Sequence, residues 1–287
     1  MKIIKAVHLG MCFGVRDAIT LAKQQAAKKP LTILGELVHN DTVLTDLRSG
    51  GVRFETDLSR VGTALVMITE HGASDTAIRQ VRQRGHAVIE ATCPLVHYAH
   101  RCLRKLVEAG FHPVVIGKRD HVEVRGLTGD FEECDVVHCG DDIHKLKPRP
   151  RMGVIAQTTQ PIEKVRFLVQ RLRDRFPKAE VRFIDTVCQP TKQRQAAAVE
   201  LAGKCDVVIV IGGAHSNNTR ELVATCARHC GRVHHVQNAD DLRAQWLEGA
   251  ETVGITAGTS TPDSVIRAVE QWLKLFSAKI QKAEVAA

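Results

Sequence analysis

Three cysteines stand at similar corners of the chain, and their thiols are the side chains best suited to chemistry. Cys93 lies in "VIEATCPLV" and Cys188 in "RFIDTVCQPT", each beyond an apolar run and a Thr, with a Pro soon after. A third corner, "LGMCFGV", holds Cys12. Thiolates are ligands of iron–sulfur clusters and of Zn²⁺. The corners therefore predict a metal centre. A redox cluster is favoured because no other electron carrier is evident, although a catalytic zinc stays open.

The corners also mark an internal repeat, which has to be resolved before single motifs are interpreted. After each cysteine come a helical pattern, an apolar strand and a polar turn, and the turn residue lies 27 or 28 positions beyond the cysteine. A second strand in each unit ends in another polar turn. The first turns carry His39, His121 and Ser216, and the second turns carry His71, Thr158 and Ser260.

Apolar strands of five or six residues that alternate with amphipathic helices are typical of parallel α/β units. The sequence thus predicts an α/β protein of three related domains, residues 1–93, 94–187 and 188–287. Ligands of open parallel sheets bind beyond the carboxyl ends of the strands. Every corner and turn lies at such an end, so we expect these side chains to face a common cleft.

Several of the turns have the chemistry of an anion site. Ser216, Asn217 and Asn218 open a helix directly after a Gly-Gly strand end, and Ser260 stands before a second helix that starts with Pro262. Hydroxyls, amides and the unpaired N–H groups of a helix N-terminus bind anions. With His39 and His71 added at equivalent turns, the set predicts a diphosphate or a similar dianion as ligand. No glycine-rich nucleotide motif is present in the sequence, so nucleotide binding has little support.

Glu123 is the candidate proton donor. It stands two residues beyond His121 in "DHVEVRG", and alternation along an extended segment would project both side chains to one side. A carboxyl near a metal and opposite the anion site can shuttle protons.

The composition narrows the class of protein. No apolar run in the 287 residues is long enough to span a bilayer, which predicts a cytoplasmic protein with nine reduced cysteines. The formal charge of +8 suits an anionic partner, whereas an aromatic content of 4% argues against a base-stacking surface. We therefore expect neither nucleic acid nor a membrane as partner, and the oligomeric state, monomer or homodimer, stays open.

These motifs together resemble the 4-hydroxy-3-methylbut-2-enyl diphosphate reductases of the non-mevalonate isoprenoid pathway. The matching segments cover almost the whole chain in family order, and they include "GMCFGVRDAI", "LVHND", "EHGAS", "EATCPLV", "HVEVRGLTG", "AQTTQP", "CQPTKQRQ", "HSNNT" and "AGTSTPD". Each segment is weakly specific alone, and the combination is highly specific.

The resemblance implies a trefoil of three αβα domains around a [4Fe-4S] cluster held by Cys12, Cys93 and Cys188. The implied reaction is reductive loss of an allylic hydroxyl, which gives isopentenyl and dimethylallyl diphosphates. The substrate hydroxyl would bind the open iron, Glu123 would supply protons, and Thr158 with His121 would organise the relay. The diphosphate would be held by His39, His71, Ser216, Asn218 and Ser260. The implied electron donor is an acidic protein such as a ferredoxin or flavodoxin.

Four positions depart from the commonest family pattern. Val122 replaces a Pro in the turn that carries Glu123, and Glu70 replaces a small residue before His71. His215 and Asn217 replace an Asn and a small residue. The extra charge of Glu70 is expected to lie near the diphosphate, so these changes bear on substrate affinity more than on reaction type.

Several other functions are compatible with parts of the pattern. A zinc-dependent hydrolase, or a thiol enzyme with Cys93 or Cys188 as nucleophile, would leave the equivalence of the three cysteines unexplained. A cluster-bearing sensor, or a basic nucleic-acid binder, would show no turnover. A reductase of another allylic diphosphate would share the chemistry and differ in substrate.

Overall fold

The computed structural model describes residues 1–286, and side chains through residue 279. The strands are β1 (Lys2–Lys5), β2 (Leu31–Leu34), β3 (Arg53–Glu55), β4 (Leu65–Ile68), β5 (Ala87–Glu90), β6 (His112–Ile116), β7 (Asp135–Val137), β8 (Arg151–Ala156), β9 (Glu180–Phe183), β10 (Val207–Ile211), β11 (Val233–Val236) and β12 (Thr252–Ala257). The helices are α1 (Phe13–Ala26), α2 (Asp41–Ser49), α3 (Asp75–Gln83), α4 (Pro94–Glu108), α5 (Val122–Thr128), α6 (Gly140–His144), α7 (Ile162–Arg175), α8 (Gln189–Ala202), α9 (Asn217–Ala227) and α10 (Asp263–Ala286).

The chain divides into two compact units. Unit 1 contains Met1–Phe13, His39–Val43 and Gln189–Ala287, and unit 2 contains Gly14–Val38 and Leu44–Cys188. The strands form three parallel four-stranded sheets, one in unit 1 and two in unit 2.

The sheet of unit 1 has the strand order β1-β12-β10-β11. Its central strand β10, "VVIVI", is buried along its whole length, as expected for a parallel strand covered by helices on both faces. Apolar residues of α10, such as Val269 and Leu273, pack on one face, and Leu201 of α8 and Leu222 of α9 pack on the other. The N-terminal strand closes this sheet, with Lys2 beside Thr252. The predicted segment 1–93 thus contributes one strand to the sheet of segment 188–287.

The two sheets of unit 2 have the orders β3-β2-β4-β5 and β7-β6-β8-β9. The second is covered by α4 and α5 on one face, where Leu103 and Val124 meet Val115, and by α6 and α7 on the other, where Leu168 meets Val114. This is an αβα sandwich, like the sheet of unit 1.

All three sheets follow one plan. The strand that precedes each corner cysteine, β1, β5 or β9, lies at one edge of its sheet beside β12, β4 or β8. The predicted α/β class and threefold repeat are confirmed, and three sheets of one plan are what the expected trefoil requires. The domain limits at 93 and 187 stay a prediction. The last helix, expected after Ser260, runs from Asp263 to Ala286.

No helix within residues 1–286 combines the length and the apolar character that crossing a membrane requires.

Candidate active site

The corner cysteines are held by their backbones beside the second polar turn of their own sheet. In unit 2 the N–H of Cys93 donates to the carbonyl of Glu70 at 3.0 Å, and the N–H of Cys188 donates to that of Thr158 at 2.9 Å. In unit 1 the N–H of Cys12 donates to the carbonyl of Thr259 at 3.0 Å. Each corner therefore continues the pairing of its edge strand for several residues beyond the strand end. This backbone bond fixes the position of the cysteine main chain, from which the thiol extends.

The corner thiols are more exposed than Cys226. Cys12, Cys93 and Cys188 are half-buried and form no disulfide, whereas Cys226 is fully buried among the helices of unit 1. Burial raises the pKa of Cys226 to about 12, and that of Cys134 also to about 12. Those two side chains therefore stay protonated thiols near neutral pH, whereas a metal ligand or a nucleophile has to be a thiolate.

The space beside Cys93 depends on a glycine. A Cβ added at Gly14 would lie 2.7 Å from Cys93 Sγ, closer than such atoms approach without a shift. Pro94 follows Cys93 as the first residue of α4, where its missing N–H costs nothing. A side chain at position 14 would therefore collide with this thiol.

The loop that carries Cys12 is clamped by a buried arginine. Arg194 on α8 donates from Nε and Nη2 to the carbonyl oxygen of Gly10, at 2.9 and 2.7 Å, and from Nη1 to the carbonyl of Pro190 at 3.0 Å. Its guanidinium joins the segment before Cys12 to the first turn of α8. Sequence reasoning missed this contact because 184 residues separate the two partners.

Glu123 is a buried acid, only 2% exposed, held by the second polar turn of its sheet. Its carboxylate accepts the backbone N–H of Thr158 at 2.6 Å and the Thr158 hydroxyl at 3.0 Å. Burial raises the pKa of Glu123 above its ordinary value, although the Thr158 bonds and nearby His71 oppose that shift. An acid that keeps its proton to higher pH is suited to proton donation.

The local structure around Glu123 differs from the extended segment that the sequence suggested. His121 is the N-cap of α5, and its Nδ1 accepts the N–H of Glu123 at 3.2 Å. Glu123 lies in the first helical turn. His121 and Glu123 are therefore linked by the N-cap hydrogen bond, and they do not lie on one side of an extended segment. Val122, in place of the usual Pro, is the first residue of this helix.

His71 lies in unit 2 next to this pair. Its ring stacks on that of His121, with centroids 5.0 Å apart and planes inclined by 21°. Its Nδ1 lies 2.8 Å from Oε1 of Glu70, a carboxylate that is also buried. Sequence reasoning noted Glu70 as an extra charge but did not predict its pairing with the next residue.

The remaining predicted anion ligands belong to unit 1. Ser216 caps α9 by accepting the N–H of Thr219 at 3.3 Å, and Oδ1 of Asn218 accepts the N–H of Thr259 at 3.0 Å. The Ser260 hydroxyl donates to the carbonyl of His39 at 3.4 Å. Ser260 is thus bonded directly to His39, and Asn218 is bonded to the residue before Ser260.

Two amide groups in this part of unit 1 have unused donors. Nδ2 of Asn217 and Nδ2 of Asn218 are buried, and neither has a hydrogen-bond partner among the described residues. Burying an amide donor without a partner costs about 1–3 kcal/mol, so such a pair marks a place where a ligand acceptor would be favourable. At the N-terminus of α9, the fitting acceptor is an anion.

A family comparison decides the assignment. The model of the LytB protein family matches residues 3–274. The chain belongs to the LytB protein family.

Curated relatives agree across the family. The 4-hydroxy-3-methylbut-2-enyl diphosphate reductase of Trichlorobacter lovleyi is 38% identical over 93% of this chain and 95% of its own length. The enzyme of the same name from Geobacter sulfurreducens is 36% identical over 97% of this chain and 99% of its own length. The resemblance and the enzyme class predicted from the sequence, an oxidoreductase, are confirmed.

Solved structures of LytB-type reductases share the fold. The E-1-hydroxy-2-methyl-but-2-enyl-4-diphosphate reductase of Plasmodium falciparum superposes with a TM-score of 0.88 at 27% identity, over 96% of this chain and 87% of its own. A second structure, described as the terminal enzyme of the non-mevalonate pathway, has a TM-score of 0.69 at 33% identity, over 96% and 99% of the two chains. Enzymes of the LytB family depend on iron–sulfur chemistry in general.

Proposed function

We propose that the chain removes the allylic hydroxyl of 4-hydroxy-3-methylbut-2-enyl diphosphate by two-electron reduction, with isopentenyl and dimethylallyl diphosphates as products. The C–O bond breaks, one proton leaves with the hydroxyl as water, and two electrons and a second proton enter the allyl fragment. One observation carries the assignment of roles: Thr158 donates twice to the buried carboxylate of Glu123 and accepts the backbone N–H of Cys188. An acid and a thiol corner are thereby tied to the same residue.

Cys12, Cys93 and Cys188 would hold an iron–sulfur cluster of the [4Fe-4S] type. Support comes from the donor set, since three half-buried cysteines that form no disulfide follow equivalent edge strands, and from Gly14, where a side chain would collide with Cys93 Sγ. When bound, the cluster supplies the electrons and a Lewis-acidic iron with no protein ligand.

Glu123 is the proposed proton donor, with Thr158 and His121 as its organisers. The raised pKa of Glu123 follows from burial, so the acid is available near neutral pH more often than an exposed glutamate. The Thr158 hydroxyl and the N-cap bond from Glu123 to His121 hold the carboxyl in one place. Orientation of this kind accounts for much of the rate that a general acid provides.

The substrate diphosphate would be bound by His39, His71, His121, Thr158, Ser216, Asn217, Asn218 and Ser260. The strongest support is the pair of buried, unpartnered amide donors of Asn217 and Asn218 at the start of α9. They add to the free N–H groups of the helix and to the Ser216 and Ser260 hydroxyls. Asn217, where a small residue is commoner, supplies one donor more than the usual family pattern.

The test uses anaerobically purified protein. We expect about four irons and four sulfides per chain after reconstitution, and substrate-dependent oxidation of a chemical reductant. Glu123→Gln should retain iron and lower kcat by about 100-fold or more, whereas the exposed Glu108→Gln should change neither. A full cluster without turnover of this substrate would contradict the proposal and indicate a sensor or another allylic diphosphate. Failure to bind iron would contradict the proposal and favour a zinc-dependent hydrolase or a thiol enzyme.

A further inference from the structure

A buried acid stands directly before one of the proposed substrate ligands. Oε1 of Glu70 lies 2.8 Å from Nδ1 of His71, with side-chain exposures of 6% and 16%. A charged carboxylate is rarely buried unless it is paired or hydrogen-bonded. The contact with His71 is therefore what makes Glu70 tolerable at this position, and the carboxylate cannot be treated as a free surface charge.

The rest of Glu70 is equally constrained. Its carbonyl accepts the N–H of Cys93 at 3.0 Å, so its backbone is fixed by the corner pairing of β4 and β5. Its second oxygen, Oε2, is buried and has no hydrogen-bond partner within the described part of the chain. An unpartnered carboxylate oxygen is costly in a stable core and has to be offset by the bond that the other oxygen makes.

The neighbours of the two stacked imidazoles favour opposite protonation states of their Nδ1 atoms. Nδ1 of His121 accepts the N–H of Glu123, so this nitrogen carries no proton. Nδ1 of His71 faces a carboxylate, which can only accept, so this nitrogen carries the proton. A carboxylate on one ring nitrogen fixes the proton position and the plane of a histidine and makes its imidazole a stronger ligand group.

The charges around His71 support this picture. Burial alone would lower the pKa of His71, but Glu70, followed by Glu123 and Glu36, raises it above the ordinary value. The negative charge of Glu70 is thus matched by positive character on the neighbouring ring rather than directed at an anionic ligand.

We propose that Glu70 is a positioning residue for substrate binding, which acts by holding the Nδ1–H of His71 and thereby the plane of its ring. The inference rests on the proposed function, in which His71 is a diphosphate ligand. It reverses the expectation that Glu70 weakens the site: the acid found in place of a small residue strengthens the histidine beside it.

Three variants separate the effect of the hydrogen bond between Glu70 and His71 from the effect of the negative charge of Glu70. Glu70→Gln keeps the size and an acceptor oxygen, Glu70→Asp keeps the charge on a shorter chain, and Glu70→Ala removes both. We expect Glu70→Ala to raise KM for the substrate about tenfold with kcat per cluster changed less than about twofold. Glu70→Gln should lie between it and the parent protein. Glu90→Ala, which removes a partly exposed acid paired with Arg82, is the matched control and should change neither constant.

A second readout does not depend on turnover. Nitrogen-15 NMR of the oxidised holoprotein should show His71 Nδ1 protonated in the parent protein and in Glu70→Gln, and a shifted Nδ1 signal in Glu70→Ala. Competition by inorganic diphosphate should weaken about tenfold in Glu70→Ala. If the parent protein bound its cluster without reducing the substrate, the proposed function would fail, while the NMR signal and diphosphate binding would still decide the role of Glu70.

The proposal is overturned if Glu70→Ala leaves KM, diphosphate binding and the His71 signal unchanged, or if it lowers kcat alone. Should Glu70→Ala fail to fold, Glu70→Gln and Glu70→Asp decide: unchanged KM and unchanged diphosphate competition in both variants would also reject the proposal.

Discussion

At the scale of single residues, Glu123 combines a catalytic advantage with a cost in stability. Its carboxyl is 2% exposed, and burial raises its pKa above the ordinary value of 4.5. As pH rises, the unfolded chain releases this proton before the folded protein does. Stability therefore falls with rising pH between the two pKa values, because the folded state binds more protons there.

The expected fall of stability with rising pH can be tested with a variant of Glu123. Glu123→Gln removes the titration, so its unfolding temperature relative to the parent protein should be higher at about pH 8 than at about pH 5. The loss of activity expected for this variant would then accompany a gain in stability at alkaline pH. Thermal unfolding followed by circular dichroism at both pH values is the measurement, with Glu108→Gln as the reference. A constant difference between variant and parent would mean that Glu123 titrates normally.

The chemistry of single residues was largely predictable from the sequence, whereas their partners were not. Cys12, Cys93 and Cys188 stand out because the repeat makes them equivalent, and the Asn217 and Asn218 turn follows a strand end. The pairing of Glu70 with His71 escaped prediction, since an acid beside a histidine in sequence is usually solvated. The sequence shows that Glu70 and His71 are adjacent, but it does not show that both side chains are buried, and burial is what makes their contact strong.

At the scale of elements, the cores of the sheets were easier to predict than their edges. The long apolar runs of β8, β10 and β12 are strands in the structure, as their pattern indicated. The edge strands β3, β7 and β11 have three or four residues each, too short for a hydrophobic period to be recognised. Helix α5 was missed for a related reason, because its seven residues start at an uncommon histidine cap.

Elements also explain how the Cys12 corner is held. The segment around Gly10 has no regular structure of its own, and Arg194 links it to α8 through two donors on one carbonyl. The planar guanidinium can bind one acceptor with two N–H groups, whereas a lysine ammonium cannot reproduce that fork.

We therefore predict that Arg194→Lys loosens the Cys12 corner. Iron release to a chelator should be about three- to tenfold faster than in the parent protein, with little change in the iron bound at the start. Absorbance of the cluster under anaerobic conditions follows the release. The exposed Arg173→Lys on α7 serves as the control for a generic effect of the substitution. Equal release rates in both variants would show that the Gly10 contact does not secure the metal site.

At the scale of the whole molecule, the repeat predicted three sheets, but it did not predict that the N-terminal strand joins the sheet formed by the C-terminal part of the chain. The sheet of unit 1 takes its edge strand β1 from the first residues and its other strands from the last third. Repeat spacing cannot reveal this, because the pattern is periodic and the first and last repeats have no neighbour beyond them in sequence. Backbone pairing resolves it: Ile3 lies beside Val253, some 250 positions away.

The formal charge of +8 is the other property of the whole molecule that bears on function. Opposite net charges accelerate the encounter of two proteins, and salt screens that attraction over about 8–10 Å. If the electron donor is an acidic ferredoxin or flavodoxin, as the family resemblance implies, its association should depend strongly on ionic strength.

The last prediction concerns this dependence. With a reduced acidic ferredoxin as donor, the apparent KM for the donor should rise about tenfold between about 0.02 and 0.3 M salt, while kcat changes little. With a small uncharged reductant in place of the protein, the rate should be nearly independent of salt, which controls for effects on the substrate. A parallel loss with both donors would locate the salt effect at the diphosphate site. No salt effect with ferredoxin would mean that the positive net charge of the protein takes no part in electron delivery, because an encounter between oppositely charged proteins is always screened.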